Sequence, residues 1–155
     1  MIHFSIDSAY RKLNIQELLR KAAETTLIRE GNGVGDLTLV LTGDKKIKEL
    51  NKQFRGIDLP TDVLSFPTEN REKGAQYLGD VLVSVPRARV QAKEAGHSLN
   101  EEITLLTVHG VLHLLGYDHS DAAGKGEMWK AQGAILHELG VNVDIDLAVA
   151  SYSHH

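Results

Sequence analysis

A chain of 155 residues, 42% apolar and 25% charged, is ordinary for one globular domain with a sizeable core and needs no second domain. The absence of cysteine excludes disulfides, thiolate catalysis and Cys-ligated zinc, and it suits a reducing compartment. The net charge of −4 argues against a generally basic nucleic-acid binder, but residues 1–96 carry 15 basic against 13 acidic side chains and residues 97–155 carry 2 against 8, so a polyanionic partner must draw its positive contacts from the first part of the chain or from a bound ion.

Residues 2–6 have the length and apolar content of a short strand. Asn14, followed three residues later by Glu17, resembles a capping box, and Ile15, Leu18, Leu19, Ala22 and Ala23 carry a helical period to about Arg29. The glycine-rich stretch 31–35 breaks the chain, and residues 36–42 then read as a half-buried strand. Asp44 is placed to cap a second helix. Its apolar face is Ile47, Leu50 and Phe54, and Lys45, Lys48, Lys52 and Arg55 form a basic stripe, either a solvated surface face or a set of phosphate contacts.

Residues 55–67 contain a polar loop and then a short apolar strand from Val63 to Phe66, and residues 68–77 read as a mobile polar hairpin or lid. Residues 78–85 are the strongest strand candidate, rich in valine and leucine. Pro86 suits the first position of a helix running to about Ala95, which Gly96 can close. Ser98 with Glu101 is a second capping-box signature, set before a long apolar helix. Its apolar residues, from Ile103 to Leu115, go most of the way round, which predicts a central, buried helix. A last helix starts at Ser120 or Asp121 and runs through Met128, Trp129, Ile135 and Leu136 to Gly140, weakened or closely packed at Gly124, Gly126 and Gly133.

Three of the eight histidines fall within residues 109–119. Four residues apart on a helix, the imidazoles of His109 and His113 share one face and can point at one ion. Gly116 can end the helix in the left-handed conformation, so that Tyr117 and Asp118 turn the chain and bring His119 to the same point. Three imidazoles with a fourth position open is the ligand count of a catalytic zinc site. In the protease motif His-Glu-x-x-His the residue after the first histidine is the general base, and here that position is Gly110. His97 and His137 read as surface or structural residues, and His154 and His155 as part of an appended tail. The chain start lacks a basic leader with an apolar signal core, and no apolar run approaches the roughly 20 residues that span a bilayer, which predicts a cytoplasmic protein without a membrane partner.

Two motifs in order, Arg55-Gly-Ile-Asp58-Leu-Pro60-Thr61-Asp62-Val-Leu-Ser65-Phe-Pro67 and His109-Gly-Val-Leu-His113-Leu-Leu-Gly116-Tyr-Asp118-His119, with Leu78-Gly79-Asp80 between them, resemble the bacterial YbeY family of metal-dependent endoribonucleases. The resemblance implies zinc ligation by His109, His113 and His119, and a role for Arg55 in RNA handling or catalysis. It also implies cleavage of single-stranded RNA, work on the small ribosomal subunit and its ribosomal RNA 3′ end, and ribosome quality control. The elements and the resemblance together predict one compact α+β or α/β domain over residues 1–150, with residues 151–155 as a tail. About four strands form a mixed sheet packed with about five helices, the central one carrying the metal ligands.

The expected cofactor is one divalent metal, zinc in the first instance, since imidazole also accepts nickel or copper. Arg55 can offer a planar fork to two phosphate oxygens. Asp118 and Asp80 are the carboxylates expected behind the metal ligands, Asp118 orienting an imidazole and Asp80 approaching from its strand, with a strand-start hydrogen bond as the plainer role of Asp80. Asp58, Thr61 and Asp62 are expected to hold their loop, and Ser65 to be structural. The sequence identifies no general base. Two rivals stand beside the nuclease: a zinc peptidase of the His-x3-His-x5-His type, and a non-catalytic ribosome-assembly factor with a structural metal.

Overall fold

The structure is a computed structural model, and it describes residues 1–68, 76–118 and 121–141. Among these, four strands, β1 (Ile2–Ile6), β2 (Asp36–Thr42), β3 (Val63–Pro67) and β4 (Tyr77–Ser84), form one sheet in the order β1-β2-β4-β3. The first three of that order run parallel, and β3 lies antiparallel on the edge beside β4. Five α-helices accompany them: α1 (Gln16–Glu30), α2 (Asp44–Arg55), α3 (Val85–Ala95), α4 (Leu99–Leu114) and α5 (Ala122–Glu138). The architecture is the mixed α+β arrangement that the sequence predicts; residues 69–75, 119–120 and 142–155, which hold most of the expected 68–77 lid and all of the expected tail, lie outside the described residues, and Tyr77 already belongs to β4.

Alternation along the strands sends Leu37, Leu39, Leu41, Val63, Val81 and Val83 into the large core shared with α1, α4 and α5, and sends Val40, Leu64 and Leu82 to the opposite face beneath Ile47 of α2. The central strands are therefore apolar on both sides. This corrects the half-buried reading of β2, in which Leu39, Val40 and Leu41 are all buried, because a crossover strand covered on both faces loses the polar alternation.

Helix α4 is the buried scaffold. Ile103, Leu105, Leu106, Val108, Val111 and Leu112 are all fully buried, and each such side chain contributes about 1.5–3 kcal/mol by leaving water. Its start is fixed by a complete capping box. Ser98 Oγ accepts from the Glu101 amide at 3.1 Å, and Glu101 Oε1 accepts from the Ser98 amide at 2.9 Å. Its end is a Schellman turn around Gly116 at φ 101°, where the Gly116 amide donates to the His113 carbonyl at 3.0 Å and the Tyr117 amide to the Leu112 carbonyl at 3.1 Å.

Two predicted caps are different in the structure. Asn14 does not start α1: it closes the 3-10 segment Ser8–Leu13 in the left-handed conformation, while Ile15 is the N-cap of α1 and Glu17 pairs with Arg20 at 3.2 Å. Gly43, not Asp44, is the N-cap of α2, because the Asp44 carboxylate is drawn out to accept from Ser84 Oγ at 2.5 Å. Among the described residues no helix is long and apolar enough to cross a membrane.

Candidate functional site

The last two turns of α4 hold His109 and His113. His109 is 1% exposed, and its ring meets the His113 ring edge-on with centroids 4.8 Å apart. The two Nε2 atoms stand 3.2 Å apart. Two nitrogens each about 2.0–2.1 Å from one tetrahedral ion would stand roughly 3.3–3.4 Å apart, so this spacing fits two ligands of a single metal.

Helix α5 supplies the support behind them. Its start is capped by Asp121, whose side chain accepts from the Gly124 amide at 2.6 Å. Trp129 stacks on His109 with centroids 5.8 Å apart and planes 26° apart, and buried Gln132 places Oε1 3.0 Å from His109 Nδ1. With Nδ1–H donating to that oxygen, the lone pair of His109 is on Nε2, the atom that faces His113. Sequence reasoning missed both α5 residues, since nothing in the period of α5 distinguishes a polar side chain that braces a histidine 23 positions earlier from a surface one.

Gly110 points the other way, at the sheet. A Cβ there would lie 2.4 Å from Val81 Cγ1, and Ser65 Oγ donates to the Gly110 carbonyl at 2.9 Å. The position occupied by a base in His-Glu-x-x-His therefore lies against packed strand, and no side chain fits it. The third predicted ligand, His119, lies outside the described residues, and within them no group of three or more His, Asp or Glu gathers to hold an ion. The turn leading to it is anchored by the Tyr117 hydroxyl, which donates to Glu30 Oε2 at 2.8 Å; that bond, with burial, raises the phenol pKa. Asp118 is exposed just beyond, lining a shallow pocket with Asp121 and Glu127.

The remaining candidates lie on the opposite face of the sheet or in the loop beside it. Gly79 and Val81 turn toward α4, so Asp80 turns toward α2, where its carboxylate accepts from the Tyr77 hydroxyl. Burial and this carboxylate raise the Tyr77 pKa. Arg55, exposed at the end of α2, shares a cleft with Asp80 and makes no hydrogen bond or ion pair with His109 or His113. Of the predicted stripe, Lys45 is exposed, whereas Lys48 and Lys52 lean on Asp58 at 3.9 and 3.8 Å. Asp62 is fully buried and accepts from the Val63 amide at 2.8 Å and from Thr61 Oγ1 at 3.2 Å. The His97 side chain, 6% exposed, lies against Glu102 at 2.6 Å, a structural pair, and His137 is exposed.

A family model described as Endoribonuclease YbeY matches residues 3–140. A relative named endoribonuclease YbeY from Moorella thermoacetica is 45% identical, the match covering 79% of this chain and 85% of the relative. One of the same name from Dehalococcoides mccartyi is 40% identical over 89% of this chain and 92% of its own. A Thermotoga maritima protein known from a solution structure matches with a TM-score of 0.64 and 32% identity, covering 90% of this chain and 89% of that one. The family model spans nearly all the described residues, from β1 to the end of α5, and so includes both the histidine helix and the Arg55 loop: this chain belongs to the endoribonuclease YbeY family.

Proposed function

We propose that this chain is a metal-dependent endoribonuclease that cleaves single-stranded RNA, acting in ribosomal RNA maturation at the small-subunit RNA 3′ end and in ribosome quality control. The observation that carries the reading is the pair of Nε2 atoms 3.2 Å apart, held behind by Gln132, in a chain of this family. We assign the metal to His109, His113 and His119, with zinc as the expected ion. When bound, such an ion supplies Lewis acidity toward a phosphoryl oxygen and toward water.

The chain's own residues do the rest. Gln132 keeps the proton of His109 on Nδ1, and Trp129 fixes the plane of its ring. Arg55 presents two parallel N–H groups to phosphate oxygens, a geometry that lysine cannot match. Lys45, Lys48 and Lys52 add charge along the RNA backbone, and Asp118 orients an imidazole from beside His119. Edge strand β3 lies between α4 on one face and α2 on the other, so the RNA backbone passes over the β3 edge to meet both groups.

The test is incubation of metal-free and zinc-reconstituted protein with single-stranded RNA and, in parallel, with an unstructured protein. The reading expects zinc-dependent cleavage of the RNA and none of the unstructured protein. Cut peptide bonds with intact RNA would establish the peptidase instead, and zinc-dependent folding without cleavage would establish a structural metal.

A further inference from the structure

The face of the sheet under α2 is only partly covered, and what it leaves open is a cleft of about 750 Å³, within the range of small-ligand sites. Its walls combine three kinds of group. Phe54 and Phe66 stand with ring centroids 5.3 Å apart and planes 59° apart. Lys46 and Arg55 bring positive charge to it from α2. Asp80 adds a carboxylate that, among the described residues, pairs with no lysine or arginine.

Phe54 is 61% exposed although it lies on the otherwise apolar face of α2. An aromatic ring left open beside a second ring and an arginine is the composition of a stacking platform for single-stranded nucleic acid, because every base has a π-face and every linkage a phosphate. The carboxylate argues for a base over an apolar peptide side chain: among Val40, Leu50 and Leu82 it offers an acceptor that a base N–H can reach and an aliphatic group cannot use.

We propose that this cleft seats one nucleobase of the RNA, stacked on Phe54 against Phe66, with Asp80 accepting from a base N–H and with Lys46 and Arg55 on the flanking phosphates. The base sits on the sheet face opposite the paired histidines, and Arg55, in the same cleft, holds the phosphate that leads from the seated base toward the metal side. The seat rests on the endoribonuclease reading for the identity of the strand, and it adds a site where bases, not phosphates, contribute to affinity.

The experiment is a fluorescence-polarisation titration of zinc-loaded protein with a short single-stranded RNA and with a sugar-phosphate strand of equal length lacking bases. The readout is the ratio of the two affinities, in which changes of protein charge largely cancel. Wild type is expected to favour the base-bearing strand about tenfold, the scale of one stacked base. Phe54→Ala should bring the ratio close to one, Phe54→Trp should keep it, and Asp80→Asn should lower it to an intermediate value. Phe54 is exposed, so these variants are expected to fold, which circular dichroism checks.

A wild-type ratio near one, or a ratio that survives Phe54→Ala, overturns the base seat. RNA cleavage by the same preparation would then leave the endoribonuclease reading standing. Base-dependent binding that follows Phe54 without any cleavage supports the seat and contradicts the catalytic reading. Failure to bind either strand overturns both.

Discussion

Gln132 determines what His109 can do. An imidazole that keeps its proton on Nδ1 has its lone pair on Nε2, and the Gln132 carbonyl 3.0 Å away favours that tautomer. Gln132→Leu keeps the bulk of the buried side chain and removes the acceptor, so metal affinity is expected to fall about 10–100-fold in competition with a chelating dye. Unchanged affinity would deny Gln132 the orienting role. Burial pushes the Glu102 carboxyl above its ordinary value of 4.5, while His97 pulls the other way. The folded chain then binds that proton to higher pH than the unfolded chain, so the stability it contributes is full below about 4.5 and is lost as pH rises through the raised value. Thermal unfolding of wild type and Glu102→Gln between pH 4.5 and about 7 should show wild type losing ground to the variant, which has no carboxyl to ionise. A gain for wild type across that window would contradict the direction.

At the scale of elements, α4 has to cross the sheet closely enough that position 110 admits only glycine. Gly110→Ala gains roughly 1 kcal/mol of helix propensity but drives a Cβ to 2.4 Å from Val81 Cγ1. The valine is branched, stiff and fully buried on a central strand, so overpacking of about 1–3 kcal/mol is expected to win. The urea midpoint of Gly110→Ala should therefore fall; an increase would mean that the strand yields. The ends of α4 were legible because their signals are local: Ser98 and Glu101 are three residues apart, and Gly116 follows the last periodic residue. The starts of α1 and α2 were misread for the complementary reason. Asn14 closes a 3-10 segment that the hydrophobic period does not announce, and the Asp44 carboxylate is claimed by Ser84, 40 residues away.

For the whole molecule, the histidine motif and the strand count could be read from spacing and alternation, but the division of the site between two faces could not. Which face a strand residue occupies depends on register and on what covers each side, so the orientation of Asp80 toward α2 and the partnership of Phe54 with Phe66 emerge only from the assembled sheet. The basic stripe was likewise visible as charge, although Lys48 and Lys52 turn to Asp58 and it is Lys46, outside the stripe, that joins Arg55 along the cleft. The central claim joins the two faces: the histidines of α4 hold a metal, Arg55 holds phosphate, and RNA is cut between them. Its most direct test measures zinc content and cleavage of a labelled single-stranded RNA for wild type, Arg55→Ala and His113→Ala, each folded by circular dichroism. The account predicts that Arg55→Ala keeps its zinc and loses cleavage about a hundredfold or more, and that His113→Ala loses both; equal cleavage by all three proteins, or a His113→Ala protein with full zinc and full activity, would contradict it.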